Sequence, residues 1–358
     1  MADKGMAGEG DFLRADTRVF VRPATDGDHA AWDAFVLAHP QGSFFHRFAW
    51  RNLFCDVFSL SPRYLVAERD GEIAGVLPLV HQKSRLFGDG LIATPFVVEG
   101  GPIGDAAAVK ALDSAALALM AQVRAPFVEY RCRKATRPGW IAKTGLYAGF
   151  VRPLAADDEA NLKAIPRKQR AVVRKAMTSS LTAAVEEGID AHYRVYTESL
   201  RNLGTPAFPK RWFQALRAAF GNDCDVMVIR DSGEPVSVVM NFYHNGVVMP
   251  YYGGGTLAAR KSGANDLVYW ETMRHAVRRG CTAFDFGRSK ADTGAFAYKK
   301  NWGFEPEWME YEYYLSPGSK LPEKNPNNPK YAAFISAWKK LPLPVANFLG
   351  PFLIRGLG

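Results

Sequence analysis

One pattern occurs twice in this sequence and limits the folds open to it. Leu65-Val66-Ala67 runs into Arg69-Asp70-Gly71-Glu72, and Ile73 to Val80 returns. In the second half, Met227-Val228-Ile229 runs into Asp231-Ser232-Gly233-Glu234, and Val236 to Phe242 returns. Apolar runs on either side of an Asp-Gly or Ser-Gly pair signal a hairpin, because the turn needs residues that tolerate positive φ. When Gly71-Glu72 is set on Gly233-Glu234, Leu65 falls on Met227. A glycine-bearing loop, a long helix and a strand follow each hairpin. The helices run over residues 106–124 and 266–279, and the strands over Phe127 to Arg131 and Thr282 to Phe286. This shared order predicts two copies of one α/β (α+β) unit, each a mixed, twisted sheet flanked by helices.

The 358 residues suffice for two domains of ordinary size, and 48% apolar residues can build two cores. A net charge of +9 favours anionic partners without choosing among phosphates, nucleic acid and an acidic membrane face. Cys55, Cys132, Cys224 and Cys281 lie far apart and form no zinc-type spacing. They are expected as free thiols in a reducing compartment, with no metal site. Residues 1–16 are polar and acidic, without the charged-then-apolar order of a leader, and are expected to form a disordered tail. No apolar run reaches the ~20 residues of a membrane-spanning helix, so a cytoplasmic location is expected. There is no Gly-x-Ser-x-Gly, no His-Glu-x-x-His and no Gly-x-Gly-x-x-Gly opening a helix. A Lys261-Ser262 pair lacks the preceding glycine of a phosphate-binding P-loop, since Arg260 stands there.

The densest chemistry lies between Phe284 and Phe304. A short strand, Ala283 to Phe286, carries Asp285 and ends at Gly287. A loop with Arg288, Ser289, Lys290 and Asp292 follows, then Gly294, Phe296, Tyr298, Lys299, Lys300, Trp302 and Gly303. Aromatics framing two lysines at a strand end suit a phosphate or a developing negative charge. The same residues also fit a buried aromatic hinge with solvated lysines.

Gly294, Tyr298-Lys299 and Gly303 resemble the closing motif of the FemAB family, in which a strand ending Asp-Phe-Gly precedes a Gly…Phe-Lys…Gly-Phe-Gly run. Tyr298 stands for the usual Phe, and Asn301-Trp302-Gly303-Phe304 for the last part. The run from Tyr251 to Leu315 is most similar to FemAB-like proteins of exosortase (PEP-CTERM) and exopolysaccharide systems. The resemblance covers roughly residues 17–315. It implies two tandem domains of the GNAT acyltransferase fold, 17–152 and 153–315; beyond it, residues 316–358 read as a proline-rich linker and amphipathic tail. It implies an acyl or aminoacyl transferase, since FemAB proteins move amino acids from aminoacyl-tRNA to lipid-linked peptidoglycan precursors. The acceptor here is then an envelope or exopolysaccharide precursor. Lys299 is expected to stabilise the oxyanion or hold a substrate phosphate. Arg288 and Lys300 assist, and Asp285 orients a cation or accepts an amine proton.

Two further anion sites are expected. Within residues 161–177, Arg167, Arg170 and Arg174 recur at helical spacing beside Lys168 and Lys175, and Pro166 fits the first turn of their helix better than an interior. They form either a solvated helix face or a phosphate-binding one. The second site follows Tyr251-Tyr252-Gly253-Gly254-Gly255, where Arg260, Lys261 and Gly263 precede a helix. Glycines such as Gly254 let a ligand approach backbone amides. Arg260 and Gly263 match the GNAT pyrophosphate loop, but Asn265 departs from its last small residue. Two donors therefore stay open, an acyl-CoA and an aminoacyl-tRNA, with no tightly bound cofactor expected. A non-catalytic export scaffold is the remaining alternative. In the tail, residues 331–358 combine Phe334, Ile335, Trp338, Lys339 and Lys340 with an apolar stretch broken by Pro342, Pro344 and Pro351. This reads either as a peripheral contact with the inner membrane face or as a strap packed on the domains.

Overall fold

The computed structural model describes residues 18–84, 88–322 and 332–355. The expected disordered tail over 1–16 and most of the proline-rich linker lie outside the described residues. Chain order begins with β1 (Phe20–Pro23), α1 (His29–Ala38), α2 (Ala49–Phe58) and β2 (Ser61–Pro62). Two hairpins in different sheets follow, β3 (Leu65–Arg69) with β4 (Glu72–Leu77) and β5 (Leu79–Ser84) with β6 (Gly88–Ala93). Then come β7 (Ile103–Gly104), α3 (Ala106–Val123), β8 (Phe127–Tyr130) and β9 (Ile141–Gly149). The second unit is led in by β10 (Val151–Pro153), α4 (Asp158–Ala164) and α5 (Arg167–Met177). Its body holds β11 (Thr182–Val185), α6 (Asp190–Leu203), α7 (Lys210–Phe220), β12 (Cys224–Asp231), β13 (Glu234–His244) and β14 (Val247–Pro250). After β15 (Gly254–Gly255) come α8 (Leu257–Ser262), α9 (Ala264–Arg278), β16 (Ala283–Asp285), β17 (Ser289–Lys290), α10 (Gly294–Asn301) and β18 (Glu307–Leu315). Two tail helices follow, α11 (Ala332–Trp338) and α12 (Leu343–Ile354).

The duplication is visible in the turns. Asp70 and Gly71 have φ of 54° and 83°, and Ser232 and Gly233 have φ of 51° and 85°. Both are thus tight turns with two left-handed residues, the type whose twist matches the flanking strands. A register shift falls at Ala67/Glu68 in the first hairpin and at Ile229/Arg230 in the second, the same distance before the turn. The two units are mixed α/β with twisted mixed sheets flanked by helices, arranged as tandem GNAT-like folds.

The sheets do not respect a boundary at residue 153. Strand β18, expected in the second domain, lies between β8 and β9 of the first, in a seven-stranded sheet ordered β17-β9-β18-β8-β6-β5-β2. Conversely, β10 pairs with β16 in the second unit's sheet. Met309, Tyr311 and Tyr313 bury themselves in the first unit's layer with Ile92 and Phe127. Period-two alternation in Glu307–Leu315 marks a strand but not which sheet receives it. The units also share a core. Phe44 stacks on Phe242 at 4.6 Å, and Trp50 meets Phe220 at 5.2 Å. The aromatic run over 44–58 is therefore packing. Its His46 is fully enclosed, bonded to Ser43 and Gly101 rather than to a cavity. Burying each such side chain contributes about 1.5–3 kcal/mol.

Other local readings shift slightly. Helix α1 is entered through Thr25, whose amide and hydroxyl donate to Asp28, whereas Asp26 pairs with Arg51. Pro166 stands at the start of α5, as its place before the arginines led one to expect, and separates it from α4. Segment 203–217 serves packing: Trp212, Phe213 and Leu216 of α7 are in the core. Helix α3 is long and apolar enough to cross a membrane by length and composition, contrary to the reading of the apolar runs. Its Ala108, Leu112, Ala116 and Met120 pack into a core with the strands of the first unit.

Candidate active site at the divergence of two parallel strands

Strands β14 and β16 run parallel but pair only over Val247–Val248 and Ala283–Phe284. Beyond that register they part. The chain after β14 also bulges at 251–253, where the amide of Tyr251 donates to Met240 O and the pairing with β13 resumes only at Gly254. A parallel sheet that opens in this way offers a crevice at the carboxyl ends of its strands. A cavity of about 280 Å³ occupies it, lined by Val98, Pro250, Tyr251, Tyr269, Phe286, Gly287, Arg288 and Lys299. Two of these residues are cations and none is a carboxylate.

Lys299 reaches the cavity from α10. Thr293 caps that helix, its hydroxyl accepting from the Phe296 amide at 3.3 Å. Gly287, with φ of 68°, turns the chain so that two successive carbonyls face the lysine. The Nζ of Lys299 donates to Gly287 O at 2.9 Å and to Arg288 O at 3.0 Å. It also lies 5.3 Å from the Phe150 ring centre and 5.7 Å from that of Phe286. An ammonium has three N–H donors, so one is left for a ligand in the cavity. Burial pushes its pKa down to about 7, against the opposing pull of Asp285 and with help from the Arg288 charge. Such a group changes charge near neutrality, as catalytic lysines do.

Arg288 donates to the Tyr311 hydroxyl and stacks over the Tyr147 ring at 4.5 Å. Tyr311 in turn donates to Val98 O at 2.6 Å. The exchanged strand β18 thereby ties the cavity's cation to the first unit. Asp285 is buried but is not among the cavity-lining residues. Its carboxylate accepts from the Gly287 amide at 2.8 Å and lies 3.6 Å from Arg133. It shapes the turn that presents the two carbonyls to Lys299. Burial raises its pKa, opposed by Arg133 and by the Gly287 amide.

The other expected site residues lie elsewhere. Lys300 is exposed on α10 and does not line the cavity. Tyr298 donates to Asp266 at 2.8 Å and braces the start of α9. Gly254 is a packing residue, since a Cβ there would sit 2.9 Å from that of Ser199 on α6. Gly263 takes φ of 79° between α8 and α9, where a Cβ would touch that of Ala176 on α5 at 3.2 Å. Arg260 and Lys261 are exposed on α8. The first turn of α9 already holds the carboxylate of Asp266, which also accepts from Gln169 at 2.5 Å. A diphosphate laid on that helix start meets this acid, which weakens a CoA pyrophosphate site there. Arg167, Lys168, Arg174 and Lys175 are exposed on α5, and Arg170 donates to Lys163 O at 3.2 Å. Helix α5 packs on the turn between α8 and α9 at Gly263, and Pro166 before it meets the turn after α10, where a Cβ on Gly303 would lie 2.9 Å away. Exposed basic residues thus occur on α5, α8 and α10.

Sequence reasoning missed Tyr251 and Tyr269 as cavity walls, and Val98, Arg133 and Tyr311 as contributions from the other unit. The aromatic pair before three glycines was a signal for Tyr251. Nothing local marks Val98. Among the described residues, no group of three His, Cys, Asp or Glu is placed to hold a metal ion.

Lys299 also sets a stability balance. Between pH 7 and 10.5 the unfolded chain holds a proton on this residue that the native state lacks, so stability rises with pH in that window. Below pH 7 the full cost of burying the ammonium is present. Lys299→Met is expected to stabilise the protein by about 2–4 kcal/mol at pH 6, less than the full shift because two carbonyls lose their donor. The gain should fade as pH rises toward 10. Urea unfolding across pH checks it, and an equal gain at every pH contradicts it.

Residues 161–300 match the family model described as an acetyltransferase (GNAT) domain. No curated protein matches the sequence. Among solved structures, FemX superposes with a TM-score of 0.63 at 15% identity, covering 88% of this chain and 100% of FemX. The C-terminal domain of a putative lysylphosphatidylglycerol synthetase from Agrobacterium fabrum gives 0.56 at 14% identity, covering 80% and 91%. A tandem GNAT protein from the clavulanic acid biosynthesis pathway gives 0.53 at 12% identity, covering 85% and 100%. The similarity to FemX agrees with the FemAB resemblance in fold.

Proposed function

We propose that this chain is a GNAT-type acyltransferase that transfers an aminoacyl group from an activated ester on a polyanionic donor to an amine or hydroxyl of a lipid-linked envelope or exopolysaccharide precursor. The observation that carries the reading is Lys299, desolvated, held by two carbonyls and lining the crevice between β14 and β16. The acceptor attacks the ester carbonyl, and negative charge develops on its oxygen. The ammonium of Lys299 and the guanidinium of Arg288 stabilise that oxygen. The C–O bond to the donor then breaks, and the proton released by the acceptor leaves with the alcohol. Positioning the two partners supplies much of the rate.

Aminoacyl-tRNA is the donor this reading favours. The exposed cations on α5, α8 and α10 suit a donor with many phosphates, whereas Asp266 occupies the helix start that one diphosphate would use. The fold is shared with a domain named for lysylphosphatidylglycerol synthesis, which is compatible with aminoacyl transfer to a lipid. Acyl-CoA remains the rival donor because of Arg260, Gly263 and the acetyltransferase family match. The reaction would take place in the cytoplasm, at the inner face of the membrane.

The test offers radiolabelled aminoacyl-tRNAs and acetyl-CoA in parallel, with membrane lipid extracts as acceptors. Label entering the lipid fraction from aminoacyl-tRNA, with a steep loss of rate as salt rises, is expected. Transfer from acetyl-CoA alone would replace the donor assignment, and no transfer from either would leave the scaffold reading.

A further inference from the structure

We infer that α12 lays an apolar face on an anionic lipid surface and seats the protein on the membrane. Despite its prolines, Leu343–Ile354 is one continuous helix. Pro344 falls in the first turn, where its missing N–H costs nothing. Ala346, Gly350 and Ile354, four residues apart, face the protein and are buried. Gly350 lets the helix close in, since a Cβ there would lie 2.9 Å from Ala207 O. Asn347 donates to the Thr197 hydroxyl at 3.4 Å, and Gln82 donates to Arg355 O at 2.8 Å. The helix is thus fixed, and so is the face turned outward.

That face is apolar. Val345, Phe348, Leu349 and Phe352, spaced by three and four residues, are 40, 69, 39 and 70% exposed. Monomeric proteins rarely leave such a stripe uncovered. Its charge surroundings select the partner. The exposed cations Lys339 and Lys340 precede the helix and Arg355 follows it, while residues 332–355 contain no Asp or Glu. Aromatic and aliphatic side chains between flanking cations fit the boundary of an anionic bilayer, where the rings enter the acyl region and the cations meet headgroups. Helix α6 lies between this face and the active site. Thr197 touches α12, and Ser199 touches Gly254, beyond the bulge that carries Tyr251. A membrane on α12 therefore lies one helix away from the segment lining the cavity. The inference does not depend on the donor or the reaction.

Full-length protein is sedimented with vesicles of phosphatidylcholine alone and of phosphatidylcholine with phosphatidylglycerol. The same is done for a Phe348→Ser/Phe352→Ser variant and a Lys339→Gln/Lys340→Gln variant. Both phenylalanines are exposed, so unchanged thermal unfolding is expected for the first variant. Binding to the anionic vesicles is expected to exceed binding to the neutral ones at least about tenfold, and the double Phe variant should lose at least about tenfold. The double Lys variant should bind anionic vesicles more weakly, by about tenfold or more at low salt. Sedimentation velocity without lipid separates the competing occupant. Self-association that the Phe substitutions abolish would show a second copy covering the face and overturn the inference. Absent vesicle binding, or binding equal in wild type and Phe variant, would overturn it as well.

Discussion

Lys299→Ala is expected to lower kcat/KM by about 10²–10³-fold while the protein stays folded. The size follows from removing one preorganised donor from a site that excludes water. Folding should survive because the substitution deletes a buried cation whose ammonium form burial disfavours. The pH profile sharpens the expectation. The free enzyme needs the ammonium, and its pKa is about 7, so kcat/KM should fall as pH rises through that value. Lys299→Arg keeps a positive charge at all accessible pH and should remove this limb, even though its fork shape costs rate. A profile identical in wild type and Lys299→Arg would take Lys299 out of the chemistry. So would full activity in Lys299→Ala.

A chain ending after Pro306 is expected to lose cooperative folding altogether. This removes β18, which pairs with β8 on one side and β9 on the other. Met309, Tyr311 and Tyr313 leave the core with it, a loss of about 5–9 kcal/mol in buried apolar surface alone. Glu312, buried at 1% exposure, also accepts from the amides of Thr136 and Arg137 at 2.8 and 2.7 Å, which would be left bare. A typical domain has about 5–15 kcal/mol in total, so the first unit has little left to stand on. For the same reason a fragment of residues 17–152 should not fold alone. Near-ultraviolet circular dichroism and a thermal scan of both pieces read this out. A sharp transition in either would show that the units are independent after all.

The duplication was legible in sequence because hairpin turns are local: Asp70-Gly71 and Ser232-Gly233 carry the required backbone conformation themselves. The strand exchange was not, because alternation along β18 fixes its faces but not its neighbours. In the site, Lys299 and Arg288 were legible as cations at the end of a strand. Lys300 stands beside Lys299 in sequence but, one residue on along α10, is exposed, outside the cavity. The glycines at 254 and 263 were read as room for a ligand, yet each makes room for a helix, α6 and α5 respectively. A glycine records that something comes close and does not say what. Val98 and Tyr311 reach the site only through the contact between units, which no window of sequence contains.

The most direct measurement is an NMR titration of the Lys299 amine in ¹³C-methylated protein, assigned with Lys299→Arg, with and without a non-hydrolysable aminoacyl-RNA. Titration near pH 7 in the free protein, moving upward when the anionic donor binds, is expected of a buried ammonium aimed at the reacting ester. An amine that titrates above pH 10 and ignores the donor would contradict the assignment of this cavity as the site of transfer.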